Sequence, residues 1–412
     1  MTAREKRTVN LPSLPPELWE RIFDLATSVS GTMIPDIYQH SSLIGPPYNR
    51  IYHPALRAAL ITKRSLVCAC KQWWHLARRY LYQAVYIVRV RCLLYLRNTL
   101  KKYAAGDGTV PGVHSLGSWT QRLDVVIHDR SIDFEGECEY LADIIRSSSN
   151  LAIVSFAITS KSYDSIPIPP SIIFALRSSA SSLRVLDWST NGLFPVPILL
   201  EAVLKEAPHL HILNCRILSW ENGFVPTHAL SSVHTLIVQS LWDITPKHYG
   251  PVDTGETPIN LREVVLGVDI LRLDLWRDFM CRYAIHLTTV QIRLAHQYGR
   301  TLIPFLDVIN GSCPNLRRIT LSVIKFSHVS LAGFALPPVE YFGVSAEAHQ
   351  QPRSDYRHLF TILAFVKDTV PTLRVVRLTD PRNVDALLTQ HSKVAVRAID
   401  QQLWKYVPRG VS

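Results

Sequence analysis

What this chain of 412 residues lacks narrows its class before any motif is read. No uninterrupted apolar run approaches the roughly 18–20 residues that spanning a bilayer requires, so no membrane-embedded protein is expected. The opening residues, MTAREKRTVN, are polar and lead into no apolar stretch, which argues against a secretory signal. The expectation is a soluble cytoplasmic or nuclear protein. Cysteines number seven, and only Cys68 and Cys70 lie close together. An odd count at irregular spacing predicts free, mostly buried thiols and no disulfide framework. Catalytic signatures are missing too: there is no Gly-x-Ser-x-Gly elbow, phosphate loop, His-Glu-x-x-His or dinucleotide fingerprint. The nearest approach to a metal cluster is Cys68, Cys70 and His75. On a helix, residues 68 and 70 stand about 200° apart and cannot share an ion. The expectation is therefore no enzyme, no metal and no cofactor.

Acid is absent where base is plentiful. From Ile37 to Gly106 there are twelve Lys/Arg and no Asp or Glu. Residues 1–102 hold 16 basic against 5 acidic side chains, which accounts for the whole formal net charge of +11, and the remaining 28 basic and 28 acidic residues cancel. A basic front quarter joined to a neutral body predicts an acidic partner for the front. Hydrophobic residues at 47% describe a folded chain. Its length predicts either several domains or a repeat array that escapes the limits of one core.

Two helical stretches organise the front. In LPPELWERIF, Leu14, Leu18, Ile22 and Leu25 recur at helical spacing, while Trp19, Phe23 and Ala26 form a second apolar stripe. Ser13 is the expected cap, Pro15 and Pro16 suit the first turn, and Glu17 complements the helix dipole. Gly31 and Pro35 mark the far end. A short helix with two apolar faces needs two things to pack against. The second stretch runs from Thr62 to Ile87, with Leu66, Ala69, Cys70, Trp73, Leu76, Ala77 and Tyr80 at helical spacing. Adjacent Trp73 and Trp74 must point to different faces.

Leu14-Pro15-Pro16-Glu17-Leu18 with Ile22-Phe23, followed by Cys70-Lys71-Gln72-Trp73, Leu76 and Tyr80-Leu81-Tyr82, resembles an F-box. The paired tryptophans and the Ala77-Arg78-Arg79-Tyr80-Leu81-Tyr82 tail are similar to the type found in mushroom-forming fungi. The resemblance covers residues 11–86 and departs from the family in two places. The stretch from about Val29 to Ala55 is longer and carries Ile44-Gly45-Pro46-Pro47-Tyr48, and Ala69 stands where Val is usual. The resemblance implies docking on a Skp-family adaptor, and through it a cullin. The residues it assigns to that contact are Leu14, Pro15, Leu18, Ile22, Phe23, Cys70, Lys71, Trp73 and Leu81. Skp-family adaptors are acidic, which fits the acid-free stretch.

In the body one pattern returns nine times: an apolar lead, two variable residues, an apolar residue, one variable residue, another apolar one. The leads are Leu151, Leu183, Leu210, Val233, Leu261, Leu287, Leu316, Val339 and Leu373, between 23 and 34 residues apart. Amphipathic stretches lie between several of them: Cys138–Ser147, Pro170–Arg177, Val196–Ala207, Leu275–Ala284, Leu302–Asn310 and Tyr356–Val370. Proline follows three of these stretches, at Pro208, Pro314 and Pro371, where a helix must stop and the chain turn back. The period is similar to that of irregular leucine-rich repeats of the kind that follow F-boxes, although the usual asparagine ladder is mostly missing. The expected fold class is thus α+β or α/β. A small all-α front (1–103) and a linker (104–118) precede an irregular strand–helix solenoid (119–412). Asp243–Pro258 and Gly343–Ser354 read as loops. A doubly wound α/β domain is the alternative, but it lacks a glycine-rich phosphate turn.

Strand alternation assigns an outward set: Asp187 with Ser189, Asn214, Arg216, Gln239, Glu263, Gln291, Arg293, Arg318 with Thr320, Tyr341, and Arg377 with Thr379. Solenoids bind on their inner curve, so these residues are the candidate face for an unidentified target protein. The functional expectation is a substrate-receptor subunit of a Skp–cullin–F-box ubiquitin ligase. Two alternatives remain open: an F-box scaffold acting outside ubiquitination, and a nucleic-acid binder suggested by a sequence pI near 9.3. No recognition module supports the last.

Overall fold

The computed structural model describes residues 14–34, 49–104, 115–127, 134–158, 166–188, 193–194, 196–218, 230–241, 260–268, 273–294, 299–347 and 351–390. The sequence features Ser13, Pro35, Ile44–Tyr48, Ser189 and the loop Asp243–Pro258 lie outside them.

Helix α1 (Pro16–Thr27) begins with Pro15 at the N-cap and Pro16 in the first turn, where a missing N–H costs nothing. Gly31, at φ +80°, turns the chain away after α1, a backbone state that side chains with a Cβ resist. Next come α2 (Asn49–Ala69) and α3 (Lys71–Gln83). The continuous helix expected from Thr62 to Ile87 is thereby corrected twice. The chain breaks at Cys70, which is extended at φ −160° and ψ 169°, and its Sγ accepts the N–H of Trp73 at 3.5 Å to cap α3. Beyond Gln83 the helix gives way to strand β1 (Ala84–Ile87). Val85, Tyr86 and Ile87 are strand formers, and β1 pairs in parallel with β2 (Arg122–Ile127).

Strands and helices then alternate. They run α4 (Arg91–Ala104), α5 (Phe134–Arg146), β3 (Ile153–Ile158), β4 (Ile166–Pro167), α6 (Pro170–Arg177), β5 (Val185–Trp188), β6 (Leu193–Phe194) and α7 (Pro197–Glu206). The rest are β7 (Ile212–Leu218), β8 (Thr235–Leu241), β9 (Glu263–Val268), α8 (Leu273–Tyr283), β10 (Thr289–Leu294), α9 (Gly299–Ser312), β11 (Arg318–Val323), β12 (Tyr341–Ala346), α10 (Arg353–Thr369), β13 (Val375–Leu378) and α11 (Pro381–Gln390). All nine motif repeats are strands, and each of the six amphipathic stretches lies on a helix.

Eleven strands form one parallel sheet in the order β1-β2-β3-β5-β7-β8-β9-β10-β11-β12-β13, with β4 and β6 paired separately. The fold is α/β. Its strand order never reverses, unlike a doubly wound sheet. One face packs against the helices in a single continuous core that includes Leu123, Val154, Leu186, Leu213, Leu236, Val264, Ile292, Leu321 and Val344. The motif leads from Leu151 to Val339 are buried in the same core, and Leu373 is partly buried at its end. Each such burial contributes about 1.5–3 kcal/mol.

Successive units are also tied by side chains one position before the lead. Asn150 Nδ2 donates to Ser118 O at 2.7 Å, Asn260 to Ser231 O at 2.7 Å and Asn315 to Ile285 O at 2.8 Å. Ser182, Ser232 and Thr372 make the same reach with their hydroxyls. Each bond satisfies a carbonyl in the turn of the preceding unit.

Two expectations about segments change. Gly343 to Ala346 belongs to β12 rather than a loop, and Arg353 already begins α10. Gly343 sits mid-strand because Thr320 Oγ1 and Thr379 Cγ2 come within 2.8 Å of where a Cβ would stand. The sheet also begins at Ala84, inside the segment assigned to the front, and the assigned linker ends in a buried 3-10 turn at Leu116–Trp119. Two ion pairs bind α4 to α5: Arg97 Nε to Asp143 Oδ2 at 2.6 Å and Lys101 Nζ to the same oxygen at 2.7 Å. Burial would raise the Asp143 carboxyl, but these two cations outweigh it and hold it below the usual range.

At Gly117 a Cβ would lie 1.9 Å from the carbonyl oxygen of Ser147, whereas at Gly136 in α5 it would meet nothing within 4 Å. Gly117→Ala is therefore expected to destabilise the protein by at least about 1–3 kcal/mol. Gly136→Ala should be neutral or stabilising by up to about 1 kcal/mol. Urea unfolding of both variants checks the pair, and equal midpoints would contradict the close packing at Gly117.

Candidate functional site

Helix α1 presents its two apolar stripes to two different environments. Trp19 and Phe23 turn inward onto α3, where Trp73 stacks 5.0 Å from Trp19 and 5.1 Å from Phe23, ring centre to ring centre. Ala77 and Tyr80 complete this small core, with Leu66, Val67 and Leu76 at its margin. The Tyr80 hydroxyl donates to the Glu20 carbonyl at 2.8 Å, and Arg79 pairs with the Glu20 carboxylate at 3.0 Å. Ala26, expected on the inner face, is exposed; Thr27 takes the inner place, its hydroxyl bonded to Phe23 O at 2.7 Å.

The other stripe stays in water. Leu14 is 36% exposed, Leu18 50%, Ile22 43% and Leu25 66%. Leu18, Ile22 and Leu25 recur every three or four positions along one side of α1, and Leu14 lies just ahead of its N-cap, so the exposed apolar residues cluster rather than scatter. Such a strip on a folded protein marks an interaction surface.

The nine residues assigned to the partner contact divide by exposure. Leu14, Pro15, Leu18, Ile22 and Lys71 are exposed. Phe23 is corrected: at 0% exposure it packs α1 onto α3 and offers nothing to a partner. Trp73 is half-buried between Trp19 and Phe23, Cys70 caps α3, and Leu81 is half-buried. These residues shape the helix pair that holds the strip. Leu25 was missed in the assignment although its spacing placed it on the strip.

The basic character of the front is partly spent inside the protein. Arg57 lies 5.5 Å from the ring centre of Tyr86 and Arg78 lies 5.2 Å from that of Trp119. Arg79, Arg97 and Lys101 pair with Glu20 and Asp143. Lys63 is buried on α2, and desolvation lowers its ammonium to about 8. Arg64, Lys71, Arg91 and Lys102 remain exposed.

On the sheet face away from the helices, the outward set is less open than strand alternation implies. Asp187 is buried between neighbours: Asn214 Nδ2 donates to it at 2.8 Å and Ser155 Oγ at 3.3 Å. Thr235 bonds Glu263 at 3.3 Å in the same manner. Gln291, Thr320 and Thr379 are buried, and Arg293 is half-buried with a desolvated guanidinium opposite Glu347. Side chains stacked on neighbouring strands about 4.8 Å apart shield one another, which corrects the expectation of a uniformly solvated face. Arg318 and Arg377 are exposed and Tyr341 is half-buried; the side chains of Arg216 and Gln239 lie outside the described residues.

All seven cysteines are free, with Cys138, Cys215 and Cys313 buried and Cys68 and Cys281 exposed. Burial raises the thiols of Cys138 and Cys313 to about 12. Among the described residues no helix is long and apolar enough to cross a membrane. No protein-family model matches the chain, and comparison with curated proteins finds no match.

The two faces of α1 make opposite predictions for stability. Phe23→Ala should cost about 3–5 kcal/mol by opening a cavity between α1 and α3. Leu25→Ala should change stability by no more than about 0.5 kcal/mol. Chemical denaturation of the two variants compares them directly, and a larger loss at Leu25 would invert the assignment of the faces.

Proposed function

We propose that this protein is the substrate-receptor subunit of a Skp–cullin–F-box ubiquitin ligase. In this reading α1, α2 and α3 form the F-box, and the strand–helix units form an irregular leucine-rich-repeat-like solenoid. The strip on α1 docks on a Skp-family adaptor, the adaptor connects to a cullin, and the sheet holds the target protein. The receptor itself makes and breaks no covalent bond.

One observation carries the reading: Leu18, Ile22 and Leu25 stand in water on one side of α1, with exposed Leu14 just ahead of its N-cap, while Trp19 and Phe23 lock its other side onto α3. A helix end pinned by a buried aromatic cluster presents its outer strip as a rigid surface, so binding a partner costs little ordering entropy. The motif residues Leu14-Pro15-Pro16-Glu17-Leu18 supply part of that strip, which is where the F-box resemblance assigns the adaptor contact. Exposed Lys71 and the remaining free cations of the front complement an acidic adaptor.

The test is co-purification of the full chain with a Skp-family adaptor. Leu18→Ala combined with Ile22→Ala should reduce adaptor affinity by about a hundredfold or more, since each of the two lost apolar contacts is worth on the order of 1.5–3 kcal/mol when fully buried. The melting temperature should hardly move, because both side chains already face water. Unchanged adaptor binding by a folded double variant would overturn the docking assignment. If generic duplex DNA binds residues of the front more tightly than the adaptor does, with the steep salt dependence of phosphate contacts, the nucleic-acid reading replaces this one.

A further inference from the structure

Charge on the sheet face away from the helices is divided along the array. Its acids fall on the earlier strands: Asp124 on β2, Asp187 on β5 and Glu263 on β9. On β10 to β13 the residues of this face are Thr289, Gln291, Arg293, Arg318, Thr320, Ser322, Tyr341, Gly343, Ser345, Val375 and Arg377, with three arginines and no acid. Asp124 is neutralised by the buried Arg122 at 2.6 Å, and Asp187 is enclosed by hydrogen bonds from Ser155 and Asn214. On the later strands Arg293 faces Glu347, which leaves Arg318 and Arg377 as the exposed charges of this face.

Two of those arginines converge on one aromatic ring. The register sets Arg318 of β11 directly beside Tyr341 of β12, and the Arg318 guanidinium lies 5.8 Å from the ring centre. Arg377 of β13 lies opposite Gly343, one step along the same face from Tyr341. Burial pushes the Tyr341 phenol up, and Arg377 and Arg318 both oppose that rise, so the two positive charges are felt at the phenol from either side. The Tyr341 hydroxyl is out of water with the Arg377 guanidinium beside it, while both guanidiniums are exposed and, among the described residues, neither forms an ion pair with a carboxylate. At the strand entrance Arg317 and Arg374 add two further exposed cations, with Glu340 reaching only Arg374, at 4.0 Å.

We infer that Arg318, Tyr341 and Arg377 form a carboxylate clamp that binds an Asp/Glu-rich segment of the target protein. The inference rests on the receptor reading above and names the chemistry of what the sheet receives. Guanidiniums match carboxylates with paired, charge-assisted hydrogen bonds, and Tyr341, with Arg318 against its ring and Arg377 beside its hydroxyl, holds the two in position. A row of strands about 4.8 Å apart offers successive contacts to an extended chain laid across it.

The probe is a fluorescein-labelled decapeptide rich in glutamate, against a glutamine-rich peptide of equal length, followed by anisotropy with the full chain at about 0.15 M salt. The glutamate peptide should bind and the glutamine peptide should not. Arg318→Gln with Arg377→Gln should weaken binding at least about tenfold, and Tyr341→Phe several-fold. Arg357→Gln with Lys367→Gln, removing two exposed cations of α10, should leave binding unchanged. Equal binding of both peptides, full binding by the Arg318/Arg377 variant, or loss of binding on changing α10 would each overturn the clamp. Adaptor binding measured on the same samples separates the two ideas. The Leu18/Ile22 variant should lose the adaptor and keep the peptide, and the Arg318/Arg377 variant the reverse.

Discussion

A parallel sheet that grows by one strand per unit has an edge at its start, and that edge must be kept short. Strand β2 has six residues with backbone groups on the side away from β3, and leaving such a row unpaired invites association. The chain covers it by running the end of α3 into β1, so the last residues of the helical front become the first strand of the body and the edge left over is four residues long. Everything else in the architecture follows from this junction. Arg122, buried beside it, holds Asp124 with two hydrogen bonds of 2.6 and 3.0 Å and the carbonyl of Thr32 with a third at 2.5 Å, fastening the turn after α1 to β2. Removing one member of such a buried pair typically costs about 3–5 kcal/mol, because the other charge is then stranded. The front and the sheet are consequently one packed body across this seam.

Periodicity was legible wherever both a lead residue and an alternating strand were present. Nine strands and six helices follow from that rule, and Leu186 and Leu321 lie fully inside as alternation requires. Strand β1 and the middle of β12 escaped it for opposite reasons. Ala84–Ile87 continues a helical pattern without a break in composition, so only the presence of an edge to pair with makes it a strand. Gly343 reads as a loop former, yet a sheet packed this closely needs a residue with no side chain there. The ladder that seemed missing sits one residue ahead of the lead, where Asn, Ser and Thr are interchangeable because each needs only to donate to a carbonyl.

The surface of α1 was legible and the sheet face was not, again for a physical reason. Helical spacing alone separates Leu18 and Ile22 from Trp19 and Phe23, and the position of α3 decides only which side is covered. On the sheet, alternation says which face a side chain takes but not how deeply its neighbours cover it. Asp187 and Arg377 occupy the same row, yet one is enclosed by Ser155 and Asn214 while the other stands beside a glycine and remains open.

The unreversed strand order also makes the sheet a ruler. From β1 to β13 there are ten strand-to-strand steps, and at about 4.8 Å each the array extends roughly 48 Å along its own curve. Because α3 runs directly into β1, the zero of that scale is fixed to the helical front, and each unit sets a graduation at a constant distance from it. Inserting or deleting one whole unit would shift everything beyond it by one graduation without altering the seam, so the separation between the two ends of the molecule can be changed independently of what either end recognises.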